Sequence, residues 1–180
     1  DYCVDSTSPT ISLSHLGFLG CTFRLAGCNG CAVRDVNLTY PTYMREIHLR
    51  DRTPFAGGPP PNLTLIEGNA SAVERLSLRY ANGNGLKVVG SHHALRELLV
   101  EDTDWLATLD YPPVEIGFGL AEPSRRPNAS SLGMYPRNTK GVNNSIAHAT
   151  VRRFGNAGIV TSQLSNEVAY CHVSHGGLVG

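Results

Sequence analysis

Three apolar positions spaced zero, three and five recur along this chain. Val73, Leu76 and Leu78 set the pattern, and Leu95, Leu98 and Val100 repeat it 22 residues later. Ile146, Ala149 and Val151 carry it again, with Val168, Cys171 and Val173 a further 22 residues on. Met44, Ile47 and Leu49 fit the spacing, as do Phe18, Cys21 and Phe23. A glycine followed by an apolar residue comes seven residues after several copies, at Gly30-Cys31, Gly85-Leu86 and Gly158-Ile159. Self-similarity of this kind marks stacked repeats, because one copy cannot bury its own apolar face and must use its neighbours. Leu76 and Leu78 share a face by the two-residue period of a strand, as do Ala149 and Val151. Each copy therefore reads as a coil of short strands, with the glycine supplying a turn conformation.

The stretches AVERLSLRYANGNGLKVVGSHHALRELLVED and NSIAHATVRRFGNAGIVTSQLSNEVAYCHVSHGG resemble the right-handed parallel β-helix family with its short β-helix repeats. The resemblance covers roughly 18–109 and 142–180. It implies an all-β, right-handed parallel β-helix solenoid with coils of about 22 residues, incomplete at the C-terminal end. Fold of this kind does not fix function. The expected organisation is a cap or lead-in over 1–17, coils over 18–109, a strand plus Pro/Arg-rich excursion over 110–141, and further coils over 142–180. VEIGFGL at 114–120 reads as a strand, and RTPFAGGPPP at 52–61 as a shorter excursion. The copy at 168–180 stops as its turn glycine arrives, so the expected partner there is the remaining coils of a parent protein or an adjoining chain. Taken alone, 91–109 also reads as an amphipathic helix, with Leu95, Leu98, Leu99, Leu106 and Leu109 on one side, Ser91 as cap and Pro112 as stop. The repeat favours the coil there. A mixed α/β or β-sandwich chain is the alternative fold.

Composition narrows the function classes. Lys plus Arg and Asp plus Glu each number 15, so the net charge is zero and a generic nucleic-acid binder is not indicated. No apolar run approaches the roughly 18 residues of a membrane span. The chain starts Asp1-Tyr2-Cys3 without a hydrophobic leader, as a processed chain or an internal fragment would. N-glycosylation sequons stand at Asn37, Asn62, Asn69, Asn128 and Asn143. Together with cysteine usage they point to a secreted or extracellular-surface glycoprotein. The cysteines are Cys3, Cys21, Cys28, Cys31 and Cys171, an odd number, so one is free or pairs elsewhere. Cys28-Asn29-Gly30-Cys31 is compatible with a redox pair, half a zinc site or a local disulfide, and no βαβ pattern surrounds it to support redox work.

Stacking the copies places outward residues in rows. Arg75, Glu97, His148 and Tyr170 form one; Ser77, Leu99, Thr150 and His172 a second; Arg79, Glu101, Arg152 and Ser174 a third; Tyr80, Asp102, Arg153 and His175 a fourth. His148, Arg152, Arg153, His172 and His175 then share one side, with Tyr170 beside them. Arginine offers a carboxylate or sulfate a two-pronged fork. Histidine or tyrosine could abstract a proton α to a uronic carboxylate, which is lyase chemistry. His148, Arg152, His172 and His175 are thus the candidate catalytic residues, and an acidic glycan the candidate ligand. The bland alternative is a solvated polar face. Metal sites are weaker: His172 and His175 form an HxxH spacing, His92 and His93 lie loosely near Asp102 and Asp104, and Glu97, Glu101 and Asp102 could stack around calcium. No cofactor is firmly implied. There is no GxSxG, and no phosphate-binding glycine loop leading into a helix. The expected function is an extracellular structural or carbohydrate-recognition module of a larger glycoprotein. The alternative is a polysaccharide lyase or other polysaccharide-active enzyme.

Overall fold

The computed structural model describes residues 2–41, 64–81, 85–103, 114–118, 141–154, 158–161 and 165–176. Its regular structure is all β. The strands are β1 (Tyr2–Ser6), β2 (Ser12–Leu19), β3 (Thr22–Asn29), β4 (Ala32–Thr39), β5 (Thr64–Asn69), β6 (Ala72–Arg79), β7 (Leu86–Ser91), β8 (Ala94–Arg96), β9 (Leu99–Thr103), β10 (Val114–Phe118), β11 (Ser145–Ala147), β12 (Thr150–Phe154), β13 (Ile159–Thr161), β14 (Glu167–Ala169) and β15 (His172–Gly176). Every strand pairing among them is parallel.

The chain alternates between two sheets. One runs β1-β3-β5-β7-β10-β13. The other starts with β2-β4-β6, then continues as two short ladders, β8-β11-β14 and β9-β12-β15. Each pass of the chain therefore adds one rung to each sheet. The helix reading of 91–109 fails where it is described, because Ala94–Arg96 and Leu99–Thr103 are strands; the residues beyond 103 lie outside the described part. Of the expected strand at 114–120, Val114–Phe118 forms β10, and 119–120 lie outside the described part. The Met44, Ile47 and Leu49 copy and the excursions at 52–61 and 121–140 also lie outside it.

The register matches the repeat spacing. Val73, Leu95, Ile146 and Val168 pair in one column, and Leu78, Val100, Val151 and Val173 in another. The same columns continue toward the N-terminus through Leu13 and Val33, and through Phe18 and Leu38. The Phe18, Cys21 and Phe23 copy is therefore a mis-registration. Phe18 ends the copy Leu13, Leu16, Phe18 on β2, whereas Phe23 lies on β3 in the opposite sheet. One continuous core fills the space, with Phe23, Leu25, Ile66, Leu86 and Val88 from the first sheet and Val36, Leu38, Leu76, Leu78, Val100 and Val151 from the second.

The corners depart from the glycine rule. Gly30 does take a left-handed φ of 91°. Most left-handed corners, however, are carried by other residues, in rows that include Asp35, Arg75, Glu97, His148 and Tyr170, and Tyr40, Tyr80, Asp102, Arg153 and His175. Each such residue costs on the order of 1 kcal/mol. The conformation turns the chain while keeping its N–H along the stack: Tyr40 donates to the Arg79 carbonyl at 3.0 Å, Glu97 to Ala147 at 3.1 Å and His148 to Ala169 at 3.2 Å. Gly158 answers a different need, since a Cβ there would come within 2.9 Å of the Phe154 ring.

All five cysteines are accounted for. Cys3–Cys21 fastens β1 to the start of β3, and Cys28–Cys31 closes the corner between β3 and β4. Cys28 and Cys31 are buried, so of the three roles open to the CxxC pair it fills the local disulfide. Cys171 is free and half-buried.

Candidate functional site

The outer face of the second sheet carries the rows expected from the repeat. Ser77, Leu99, Thr150 and His172 pair in sequence, as do Arg79, Glu101, Arg152 and Ser174. Their side chains, however, sort by charge. Glu101, with only 5% of its side chain exposed, accepts from Arg79 Nε at 2.8 Å, Arg152 Nε at 2.5 Å and Arg153 at 2.8 Å. Arg153 also forks onto Asp102, through Nε at 2.6 Å and Nη2 at 2.8 Å. Arg152 and Arg153 thus turn back to the preceding pass, away from His172 and His175.

Burial pushes the Glu101 carboxyl up, but hydrogen bonds from Arg152 and Arg153 and the charges of Arg152 and Arg79 outweigh it and hold it below its ordinary value. The hydrogen bond from Arg153 lowers Asp102 likewise, and Arg153 is raised in return. A smaller copy of the motif lies toward the N-terminus. Arg75 forks onto Asp35 at 2.6 and 3.0 Å and reaches Glu74 at 2.8 Å, and its hydrogen bond lowers Asp35.

The remaining candidate residues lie apart from this network. His148 stacks on Tyr170, ring centroids 5.2 Å apart and planes within 8°. His172 and His175 are exposed on β15, paired in register with the β12 pass. Among the described residues no three His, Cys, Asp or Glu side chains gather as a metal site. Calcium at Glu101 and Asp102 would face the arginines that already neutralise them. Glu97 sits exposed at a corner. Asp104 lies outside the described residues.

His93 belongs to an interior feature that the hydrophobic pattern does not reveal. Ser71, His93, Asn144 and Asn166 occupy one row, just ahead of the strands. The Ser71 N–H donates to His93 Nδ1 at 3.2 Å, the His93 N–H to Asn144 Oδ1 at 2.9 Å, and the Asn144 N–H to Asn166 Oδ1 at 2.9 Å. With Nδ1 accepting, the ring proton sits on Nε2, within reach of the Gly68 and Val89 carbonyls at 3.1 and 3.3 Å. Neither nitrogen is left to bind a metal. The offset of the row was readable in the sequence, but its residue types differ from pass to pass.

Two expected results follow from these networks. Burial lowers the His93 pKa from the ordinary 6.5. The unfolded chain therefore binds a proton that the folded chain refuses, so stability is complete above 6.5 and falls as pH drops below it. Urea titrations across that window should show the loss, and His93→Gln should flatten it. Glu101→Gln should cost about 1–2 kcal/mol. That is less than for a fully buried pair, because its arginine partners can turn to water.

Of the sequon asparagines, Asn37, Asn69 and Asn143 are exposed, while Asn62 and Asn128 lie outside the described residues. Among the described residues no helix is long and apolar enough to cross a membrane. A scan against protein-family models, and searches of curated proteins and of solved structures, return no match. The fold and the site therefore define the class on their own: an all-β, parallel-stranded domain of stacked sheets that carries two disulfides.

Proposed function

We propose that this chain is a right-handed β-helix module of a larger extracellular glycoprotein, serving structure and carbohydrate recognition rather than catalysis. The observation that carries this reading is the commitment of Arg152 and Arg153 to Glu101 and Asp102. A lyase needs a free guanidinium to neutralise the uronic carboxylate and a base beside the abstracted proton. Here Arg153 forks onto Asp102 and Arg152 is held by Glu101 through Nε. The disulfides suit an oxidising compartment, and exposed Asn37, Asn69 and Asn143 suit N-glycan attachment. The last rungs expose Val168 and Val173 to 46% each, which suits further coils or an adjoining chain on that edge.

The test pairs two assays on the glycoprotein. One follows release of unsaturated uronide from alginate, pectin and glycosaminoglycans, with and without calcium. The other measures retention on a glycan panel. Retention without release is the expected result. Release that disappears in His172→Ala or Arg152→Ala would instead establish the lyase. Intact mass before and after enzymatic deglycosylation checks the glycans.

A further inference from the structure

The corner row that starts at Gly20 runs on through Tyr40, Tyr80, Asp102, Arg153 and His175. The left-handed corner is required by the architecture; tyrosine is not. Glycine, asparagine or aspartate adopts that conformation more readily, yet two successive passes hold Tyr40 at φ 51° and Tyr80 at φ 60°. Their rings stack with centroids 5.0 Å apart and planes 21° apart. They stay 43% and 37% exposed, well above what buried packing would leave. The pair occupies adjacent rungs, so the second face of Tyr40 is directed along the stack toward the Gly20 rung. There, among the described residues, a Cβ on Gly20 would meet nothing within 4 Å. Leu19 stands alongside, 76% exposed.

The charges beyond the Tyr80 end of the shelf are matched. Arg79 is held by Glu101 at 2.8 Å and Arg153 by Asp102 at 2.6 Å. An aromatic face and an exposed leucine, in a row that is uncharged at Gly20, Tyr40 and Tyr80, suit a neutral, flat, partly apolar ligand rather than an anion. We infer that the open face of Tyr40, with Leu19 and the space beside Gly20, is a stacking site for a pyranose ring of a β-linked glucose or N-acetylglucosamine chain. The inference rests on the carbohydrate-recognition reading and locates it away from the arginine network.

The experiment uses the whole enzymatically deglycosylated chain with cellohexaose and chitohexaose as probes, read by calorimetry and by saturation-transfer NMR. Binding of at least one probe is expected, with transfer from Tyr40 ring protons. Tyr40→Ala should weaken that binding by about tenfold or more, and Tyr40→Phe should preserve it. Gly20→Asn tolerates the left-handed φ of 74° and places its side chain in the open space, so it should weaken binding with the Tyr40 ring intact. That variant carries the test if Tyr40→Ala melts early. Binding that is equal in wild type, Tyr40→Ala and Gly20→Asn overturns this site and leaves carbohydrate recognition elsewhere on the module. Binding of neither probe overturns the site outright, while the acidic-polymer panel still decides the broader reading separately.

Discussion

Gly90→Ala is expected to be the most damaging glycine-to-alanine substitution among the described residues, costing more than about 4 kcal/mol or abolishing folding. Gly90 has a φ of 120°, a backbone region that residues with a Cβ scarcely enter. A Cβ there would lie 1.6 Å from the Gly68 carbonyl oxygen, which is backbone and cannot swing aside. Gly68 in turn, at φ 140°, would place a Cβ 2.0 Å from the Cys28 carbonyl oxygen. Cys28, Gly68 and Gly90 pair in one register position of the first sheet, so three passes share a single close approach. Gly17→Ala is the control. Its Cβ meets nothing within 4 Å and its φ is ordinary, so it should be neutral or slightly stabilising. Equilibrium urea unfolding compares the two, and a Gly90→Ala chain of native stability would refute the close approach.

Truncation along one apolar column should give a gradient. Leu78→Ala is expected to cost about 2–5 kcal/mol. Leu78 is fully buried between Leu38 and Val100, themselves at 1% and 0% exposure, so a cavity there has neighbours on both sides and little means of collapse. Val173 lies in the same column at the last described rung and is 46% exposed. Val173→Ala should cost less than about 1 kcal/mol, because water already reaches the site. Chemical denaturation of both variants checks the gradient. Equal losses would mean that another surface covers that edge in solution.

The columns were legible because a stacked strand must present an apolar residue to the core at the same place in each pass. The two N-terminal copies escaped for the same reason in reverse. Leu13, Leu16, Phe18 and Val33, Val36, Leu38 keep the spacing but stand 20 residues apart, and the chance fit of Phe18, Cys21 and Phe23 concealed them. The rows of the candidate site were legible too, since register alone decides which residues are neighbours. Register does not decide which neighbour a long side chain turns toward. Arg152 had His172 on one adjoining pass and Glu101 on the other, and the carboxylate won on charge. The corners were misread because local propensity assigns left-handed φ to glycine. Here stacking the passes holds non-glycine residues in that conformation, with Tyr40, Tyr80, Glu97 and His148 each donating its N–H to the next pass. The Ser71, His93, Asn144 and Asn166 row escaped because its acceptors are a histidine ring nitrogen at one pass and asparagine oxygens at the next two, which no single residue type marks.

That interior row also has a direction in time. The acceptor always comes from the later pass: Ser71 waits for His93, His93 for Asn144, and Asn144 for Asn166. A chain leaving the ribosome N-terminus first therefore holds the Ser71, His93 and Asn144 N–H groups open in turn, each until the next pass emerges. Across these passes the layer already made is completed by its successor, and the amide left open is the one in the youngest layer.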